Sequence, residues 1–408
     1  MKICFLLTQD LESPSGLGRY LPWATELAKH GYEVNIITLH PDFKHLNNKK
    51  DVINGVPVNY IAQMHVKKTG NLKTYYPQWK LLWIVALATI KLAFRTIREP
   101  VDVIIIGKPH PMNSIAALFN KFIKPNIQII LDCDDYESAS NRFQTKWQKR
   151  VVEWFENTMP KKAQVVTSNT YYTLGRLEQS GVPKEKLVYI PNGIDIDRFK
   201  PPDIERVAAL RASLGLSGKK VILYIGSMSL INHPVDILLH AFRLVHEEMP
   251  ETILLLVGAG EDLNTLKDLA KKIGVEKDVI FVGRVPPGQV PLYYALSDVS
   301  VDPVNDDEAA RGRCPLKLFE SWACGVPFIT GDVGDRKTLL NNPQGGIVTD
   351  TFDPASYALI IIKMLKDYNL VKSIVEFGQE NLKNFYWSNI IQNILPLLPR
   401  EANHPTNN

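Results

Sequence analysis

RGRCPLKLFESWACGVPFIT, residues 311–330, predicts a short helix between two breaks, followed by an apolar strand. Pro315 suits the first position of the helix, where its missing N–H costs nothing. Gly325 and Pro327 then end the helix and open the strand. Because the first backbone N–H groups of a helix have no partner within it, the first turn is the expected place for a bound anion.

The side chains of this helix suit a nucleoside diphosphate. The free N–H groups of Leu316 and Lys317 carry partial positive charge, and the side chains of Arg313 and Lys317 add full charges, so a diphosphate is the expected ligand. Glu320 lies over a turn further into the helix, where its carboxylate can accept two hydrogen bonds from the vicinal hydroxyls of a ribose. The alternative is an amphipathic helix with a solvated glutamate.

Further motifs occur in a fixed order along the chain. They are Ser15-Gly16-Leu17-Gly18, Ile190-Pro191-Asn192-Gly193-Ile194-Asp195 with Phe199, Val257-Gly258-Ala259-Gly260-Glu261, Phe281-Val282-Gly283-Arg284-Val285, and the set Pro315, Lys317, Glu320, Ala323, Gly325 and Pro327. This ordered set resembles the retaining glycosyltransferases of the group 1 type, family 4, and the likeness covers nearly the whole chain. The resemblance implies the two-domain GT-B fold and the transfer of a sugar from a nucleotide donor.

Length and composition indicate a soluble protein of two domains. The 408 residues exceed what one core usually holds, and 45% hydrophobic with 22% charged residues is ordinary for globular proteins. The four cysteines show no metal-ligand spacing, which predicts reduced thiols in the cytoplasm. The apolar start of the chain is too short for a signal peptide, so export is not expected.

Basic residues are concentrated in the first half of the chain. There are 27 basic and 18 acidic residues up to Lys200, against 20 and 25 after it. Nucleic acid is not an expected partner, because the charges are scattered and no binding module accompanies them. The apolar stretch Leu81–Phe94 is too short to span a bilayer. With Lys80, Lys91 and Arg95 beside it, the stretch suits an anionic membrane surface, and a core helix of the first domain is the alternative.

Strands and helices alternate in both halves, which predicts an α/β protein with two doubly wound, Rossmann-like domains facing across a cleft. The expected strands are Lys2–Leu7, Glu33–Thr38, Val103–Ile106, Gln128–Asp132, Val165–Ser168 and Leu187–Ile190, then Val221–Ile225, Thr252–Val257, Val279–Val282, Val299–Val301, Phe328–Thr330 and Gly346–Val348. The proline-rich junction after Phe199 divides the chain into an acceptor-side domain (1–200) and a donor-binding domain (201–385). The remaining residues, 386–408, are expected to form a helix that crosses back to the first domain, and a tail.

The resemblance places several glycines and a loop at the donor. Gly16 and Gly18 open a helix after the first strand and let the backbone approach a phosphate or sugar closely, although a plain tight turn is the alternative. A nicotinamide cofactor is not expected, because residue 21 is not a third glycine and no acidic residue ends the second strand. Gly258 belongs to the same donor site, and Arg284 and Val285 would offer backbone groups to the base.

The chain departs from the family pattern at two places. Many relatives carry Arg and Lys to grip the diphosphate, where this chain has Ser227 and, at about the place of the lysine, His233. Either the basic residues of segment 311–330 supply the positive charge instead, or the site binds a diphosphate weakly. Relatives often have a glutamate that touches the transferred sugar, where this chain has Gly312. Glu308 is the candidate for that contact, with a solvated loop carboxylate as the alternative.

His110 and Asp134 each follow an apolar strand, and ligands bind at the carboxyl ends of parallel strands in such sheets. They are the candidates for orienting the reactants. Because His110 lies between two prolines, a structural role is its alternative. The acidic run Asp132–Asp135 would also suit a metal, but the resemblance implies neither a metal nor another cofactor.

The sequence thus predicts a metal-independent, retaining glycosyltransferase with a nucleotide-sugar donor and a glycan or lipid-linked acceptor. It would work in the cytoplasm, with the inner face of the cell membrane as its alternative place. A nucleotide-sugar 2-epimerase is one alternative function. A non-catalytic nucleotide-binding protein is the other, because Ser227 and Gly312 depart from the donor-binding pattern.

Overall fold

The computed structural model describes residues 1–69 and 72–399. These residues fold as two compact units. The first comprises Met1–Thr69, Thr74–Gly193 and residues 387–399, and the second consists mainly of Ile194–Tyr386. Phe199 lies before the expected junction at residue 200 but is buried in the core of the second unit. The second unit also includes Ile194, which forms an isolated parallel bridge with Tyr386.

The first unit is built on an eight-stranded sheet with the order β10-β9-β8-β7-β1-β2-β4-β3. A separate pair, β5 and β6, forms a small second sheet. The strands are β1 (Lys2–Leu6), β2 (Glu33–His40), β3 (Lys50–Ile53), β4 (Val56–Gln63), β5 (Val66–Thr69), β6 (Leu72–Tyr75), β7 (Val103–Gly107), β8 (Gln128–Cys133), β9 (Val165–Ser168) and β10 (Leu187–Tyr189). The central strands are continuous apolar runs because helices cover both faces of a parallel sheet.

The six strands that the sequence predicts in this unit are confirmed, and strands β3, β4, β5 and β6 are additional. Strands β3 and β4 pair antiparallel and are joined by a tight turn at Asn54 and Gly55, with φ of 51° and 81°. Asn-Gly is the preferred pair for such a turn, because both residues tolerate positive φ. The signal for this hairpin was therefore present in the sequence.

The helices of the first unit flank the large sheet. Those before residue 193 are α1 (Leu21–Lys29), α2 (Gln78–Ile97), α3 (Pro111–Ile123), α4 (Glu137–Ser140), α5 (Lys146–Lys162) and α6 (Tyr171–Gln179), with a π-helical turn at Gly16–Tyr20 before α1. Helix α2 contains the apolar stretch Leu81–Phe94, whose Ala88 and Leu92 are buried in the core while Trp83 and Ile90 are exposed. One side of α2 is therefore a core face, and the other is not.

The second unit is a six-stranded parallel sheet with the order β13-β12-β11-β14-β15-β16. Its strands are β11 (Lys220–Ile225), β12 (Thr252–Val257), β13 (Val279–Gly283), β14 (Val299–Asp302), β15 (Phe328–Gly331) and β16 (Ile347–Thr349). Counted within the unit, this is the order 3-2-1-4-5-6 of a Rossmann fold. The six strands predicted for this half are confirmed.

Helices pack on this sheet and connect its strands. They are α7 (Ile204–Ser213), α8 (Val235–Glu248), α9 (Leu263–Lys272), α10 (Val290–Ala295), α11 (Glu308–Arg311), α12 (Leu316–Ala323), α13 (Arg336–Leu339), α14 (Pro354–Lys366) and α15 (Tyr368–Asn381). Since strand order reverses between β11 and β14, the carboxyl ends of these neighbours mark the place where such sheets bind ligands.

The last helix, α16 (Trp387–Ile394), belongs to the first unit. Trp387, Ile390 and Ile391 are buried in the same cluster as Phe5. The indole Nε1 of Trp387 also donates a hydrogen bond of 3.1 Å to the carbonyl oxygen of Gly18. Helix α16 is thus tied to the π-helical turn that follows the first strand.

Candidate functional site

A partly buried lysine lies where strand order reverses in the second unit. Lys317, in the first turn of α12, forms an ion pair with Asp302 at the end of β14. Its Nζ also lies 4.6 Å from the ring centroid of Tyr224 on β11. A Cβ at Gly226, just after β11, would lie 2.9 Å from Cε of Lys317. Glycine at this position therefore leaves the room that the lysine side chain occupies.

Arg313 and His233 lie close to this lysine. Arg313 donates to the carbonyl and side-chain oxygens of Asn232, at 3.1 and 3.3 Å. Burial and the neighbouring Lys317 and Arg313 hold the pKa of His233 well below its usual value, so this imidazole is neutral near pH 7. Burial also lowers the pKa of Lys317, which Asp302 opposes. The structure thus brings together three of the predicted donor residues, Arg313, Lys317 and His233.

Arg336 is a cation of this cluster that sequence reasoning missed. It is 1% exposed, and its Nη2 lies 4.0 Å from Oδ2 of Asp302. Its Nη1 donates to the carbonyl oxygen of Ala310 at 2.9 Å, while Nε and Nη2 have no hydrogen-bond partner among the described residues. Lys317 and Arg336 therefore share one carboxylate and Arg313 lies close to both, so the cluster keeps a positive charge that suits an anion.

The start of α12 differs by one residue from the prediction. Pro315 is extended, with ψ of 112°, so it caps the helix and Leu316 is the first helical residue. The end agrees with the prediction, because Gly325 follows the helix with φ of 68°. Leu316 and Lys317 thus occupy the first turn, and their backbone N–H groups face away from the helix body.

Glu320 lies one turn beyond Lys317 and is held by two side chains of its own unit. Arg198 Nη2 approaches its Oε1 at 3.4 Å, and the hydroxyl of Tyr294 lies within donating distance of Oε2, at 3.3 Å. Burial raises the pKa of Glu320, and Arg198 opposes that shift. Neither partner was predicted, since Arg198 is distant in sequence and Tyr294 is an apolar-face residue of α10.

The remaining predicted residues of the second unit are spread over its strand ends. Ser227 is exposed, and its carbonyl oxygen accepts a hydrogen bond of 2.6 Å from Tyr224. Gly258, with φ of 140°, packs against Gly226 so closely that a Cβ would lie 1.8 Å from the Gly226 oxygen. Glu308 is exposed at the start of α11.

Arg284 and Val285 follow β13, at the edge of the sheet. Two strands, β12 and β11, separate β13 from β14, which carries Asp302. Arg284 is exposed, and Val285 packs against the core cluster of the unit. This pair therefore lies apart from the cation cluster within the sheet order.

In the first unit, His110 lies where β1 and β7 are neighbours, at the reversal of strand order. Its Nδ1 lies 2.6 Å from the hydroxyl of Thr8, and its Nε2 lies 2.9 Å from Oε2 of Glu137. With its proton on Nε2, the imidazole donates a hydrogen bond to the carboxylate of Glu137. Its Nδ1 can then accept a hydrogen bond from the hydroxyl of Thr8. The imidazole is therefore held in one orientation.

Lys108 forms ion pairs with three carboxylates beside this histidine. Its Nζ lies 2.6 Å from Asp135, 2.7 Å from Glu137 and 3.5 Å from Asp134. Burial raises the pKa of Asp134 to about 7, although Lys108 opposes this. Burial also favours a higher pKa for Glu137, but Lys108 and His110 outweigh burial and hold this pKa well below its usual value. Lys108 itself has φ of 70°, an unusual conformation for a lysine.

The same carboxylates, Asp134, Asp135 and Glu137, are close enough together to offer ligands to a metal ion. The ammonium group of Lys108 lies among them, however, and already balances part of their charge. Carboxylates that share a buried lysine are a common structural arrangement. The cluster therefore does not by itself call for a metal.

A buried arginine supports the loop that carries Gly16 and Gly18. Arg19 donates to both carboxylate oxygens of Asp132, at 2.7 and 2.6 Å, and to the carbonyl oxygen of Ile190 at 3.0 Å. Gly16 is crowded, because a Cβ there would lie 2.3 Å from the carbonyl oxygen of residue 10. The two predicted glycines thus lie in a turn that is fixed by Arg19.

Solved structures with the same fold define the class of the protein. The Anabaena HepE protein in complex with UDP-glucose matches with a TM-score of 0.74 and 20% identity, over 97% of this chain and 99% of that one. Sucrose-phosphate synthase from Thermosynechococcus elongatus matches with a TM-score of 0.75 and 18% identity, over 97% and 98%. The protein therefore has the GT-B fold.

Family profiles and sequence relatives give the family. Residues 16–198 match Glycosyltransferase Family 4, and residues 207–381 match Glycosyl transferases group 1. The chain belongs to this family of glycosyltransferases. A GDP-mannose-dependent alpha-(1-6)-phosphatidylinositol monomannoside mannosyltransferase of Mycolicibacterium smegmatis is 28% identical over 55% of this chain and 59% of its own length. A D-inositol 3-phosphate glycosyltransferase of Acidothermus cellulolyticus is 29% identical over 53% and 48%. The chain thus spans about half the length of these relatives.

Proposed function

We propose that the protein transfers a sugar from a nucleoside diphosphate donor to a hydroxyl group of an acceptor, with retention of the anomeric configuration. One observation carries this proposal. Lys317 and Glu320 stand one turn apart on α12, with Arg313 and Arg336 adding charge beside the lysine. The lysine end of this arrangement suits a diphosphate, and the glutamate end suits a ribose.

The chemistry follows from where charge develops. When the bond between the sugar and the diphosphate breaks, negative charge grows on the leaving phosphate oxygen. Lys317, Arg313 and the first N–H groups of α12 stabilise that charge and are fixed before the reaction begins. These cations supply what a metal ion would otherwise supply, so the proposed reaction needs no metal and no further cofactor.

Retention fits a leaving group that also acts as the base. In the proposal, the leaving phosphate oxygen accepts the proton of the acceptor hydroxyl while that hydroxyl attacks the sugar from the same face. No strong side-chain base is then required. His110, held between Thr8 and Glu137, has the role of orienting the reactants.

The acceptor in this proposal is a glycan or a lipid-linked glycan. One relative supports a lipid-linked acceptor, since its name specifies a phosphatidylinositol monomannoside, whereas the name of the other specifies an inositol phosphate, which is neither a glycan nor lipid-linked. UDP and UDP-glucose complexes of HepE support a nucleotide-sugar donor. The proposal places the reaction in the cytoplasm, at the inner face of a membrane. Within residues 1–69 and 72–399, no helix combines the length and apolar character needed to cross a bilayer.

A donor screen followed by a turnover assay tests the proposed function. Thermal shifts with UDP-, GDP- and ADP-linked sugars identify the donor, and proton spectra then follow the anomeric signal after addition of glycan or glycolipid acceptors. We expect release of the nucleoside diphosphate only when an acceptor is present, and an α-linked product from an α-linked donor. Conversion of the donor alone would indicate an epimerase, and binding without turnover would indicate a non-catalytic protein.

A further inference from the structure

Helix α2 presents a long apolar stripe to the outside of the first unit. Five of its exposed apolar side chains, spaced three or four residues apart, are Trp79, Trp83, Leu87, Ile90 and Phe94. Trp79 and Trp83 are 68% and 74% exposed. This spacing places all five on one side of the helix, opposite the buried Ala88 and Leu92. The stripe therefore faces away from the core of the unit.

Helix α3 extends the stripe into a surface. The rings of Phe94 and Phe119 meet edge to face, with centroids 6.3 Å apart. Ile115 and Phe122 lie on the same side of α3 as Phe119, and Phe122 is 84% exposed. We call the exposed apolar side chains of α2 and α3 together the apolar face. Contiguous exposed surfaces of this kind mark sites for a membrane or another protein.

Helix α5 begins beside the start of α2. The side-chain amide of Gln144 donates a hydrogen bond of 3.2 Å to the carbonyl oxygen of Tyr76, which joins the segments that lead into the two helices. Trp147 and Trp154, seven residues apart and therefore on one side of α5, are 41% and 57% exposed. Tryptophan concentrates where apolar and aqueous surroundings meet, because its ring is apolar and its N–H is polar.

The charges around the apolar face decide its occupant. Helices α2 and α3 contain Lys80, Lys91, Arg95 and Lys121 but no aspartate or glutamate. Lys80 and Lys91 are exposed. Two copies of such a face would bring like charges together, which disfavours a dimer. An anionic bilayer surface offers both the apolar depth and the opposite charge.

We propose that the apolar face lies in the headgroup region of an anionic bilayer, with α2 parallel to the membrane plane. Trp79, Trp83 and Phe122 insert among the acyl chains, while Lys80 and Lys91 contact anionic headgroups. This inference deepens the membrane part of the proposed function and does not depend on the transfer reaction. It also differs from purely electrostatic attachment, because apolar insertion is not screened by salt.

Vesicle flotation with the whole protein tests this inference. The vesicles are phosphatidylcholine alone or mixed with phosphatidylglycerol, and a Trp83→Gln/Phe122→Gln variant is compared with Phe352→Gln/Tyr368→Gln, whose exposed rings lie in the second unit. We expect binding to the anionic vesicles that partly survives high salt. The first variant should lower the partition coefficient by about tenfold or more, and the control variant should not.

A second readout reports insertion directly. Lipids brominated in their acyl chains should quench the tryptophan fluorescence of the wild type, and the quenching should fall in Trp83→Gln/Phe122→Gln. Both variants should keep the thermal shift produced by nucleotides, which separates this inference from the donor proposal. Absence of vesicle binding, binding that both variants retain, or a dimer that only Trp83→Gln/Phe122→Gln dissociates would each overturn the bilayer as the occupant.

Discussion

Lys317 is paired with Asp302, so the lysine that the proposal assigns to the diphosphate already has a carboxylate partner. Burial disfavours the charge of Lys317, and Asp302 restores part of it. Arg336 places a second positive charge beside the same carboxylate, with its Nη2 4.0 Å from Oδ2 of Asp302. An incoming diphosphate therefore joins a network in which the positive charges outnumber the negative one, and Asp302 competes with it for the lysine.

Replacing Asp302 by asparagine should have opposite effects on stability and on binding. Without the carboxylate, Lys317, Arg313 and Arg336 repel each other, and the free protein should unfold at a lower temperature. A nucleoside diphosphate then supplies the missing charge, so its thermal shift should exceed that of the wild type. Asp332→Asn is the matched control, since Asp332 forms an exposed ion pair with Lys337. An Asp302→Asn protein with unchanged melting temperature and an unchanged shift would contradict this assignment.

Replacing Glu320 by glutamine should weaken the ribose contact. The loss of a charge-assisted pair of hydrogen bonds costs about 1.5–3 kcal/mol, so affinity for a nucleoside and for its diphosphate should fall by similar factors of about tenfold or more. Because burial raises the pKa of Glu320, wild-type affinity should also begin to fall at a higher pH than an exposed glutamate would give. Calorimetry measures both effects, with the exposed Glu376→Gln as control. Unchanged nucleoside affinity would remove Glu320 from the site.

Asp134 should make stability depend on pH. Its pKa is raised to about 7 in the folded protein, so the folded state holds the proton more tightly than the unfolded state does. Stability from this group is complete below the unfolded pKa and is lost as the pH rises towards 7. Asp134→Asn should therefore raise the melting temperature at pH 8, with a smaller gain at pH 5. An equal effect at both values would show that Asp134 is ionised throughout.

Arg19→Met should destabilise the first unit. The substitution leaves the carboxylate of Asp132 buried without its cation, which typically costs about 3–5 kcal/mol of unfolding free energy. Thr167, which donates a hydrogen bond of 2.6 Å to Asp132, remains as its partner. The double variant Arg19→Met/Asp132→Asn should recover much of the loss in urea unfolding, because no unpaired charge remains. A double variant as unstable as the single one would mean that the hydrogen bonds of Arg19 to the backbone dominate.

The sequence predicted the sheets well because buried parallel strands are continuous apolar runs. β7 and β8 illustrate this, with VIIIG at Val103–Gly107 and QIILDC at Gln128–Cys133. Helix α12 was equally visible, since Pro315 and Gly325 mark its two ends. The hairpin of β3 and β4 was missed, although Asn54 and Gly55 signal its turn, because β3 is mostly exposed and has no apolar run.

The partners of the site residues were much harder to predict. Arg336 and Arg198 lie far in sequence from Asp302 and Glu320, and only the fold brings each pair together. Glu137 likewise meets His110 across 27 residues of chain. A lone arginine or glutamate in a loop is usually solvated, so local pattern gave no reason to select these residues.

The dependence of nucleotide affinity on Lys317 is the most direct test of a donor site on α12. Calorimetric titrations compare UDP, GDP and ADP with their nucleosides, for the wild type, Lys317→Met and the exposed control Lys271→Met. We expect that one diphosphate binds the wild type and that Lys317→Met weakens its binding by about tenfold or more. The matching nucleoside should bind both proteins alike, and Lys271→Met should behave as the wild type. Failure of every diphosphate to bind, or equal affinity of the Lys317→Met protein for it, would contradict a donor site on α12.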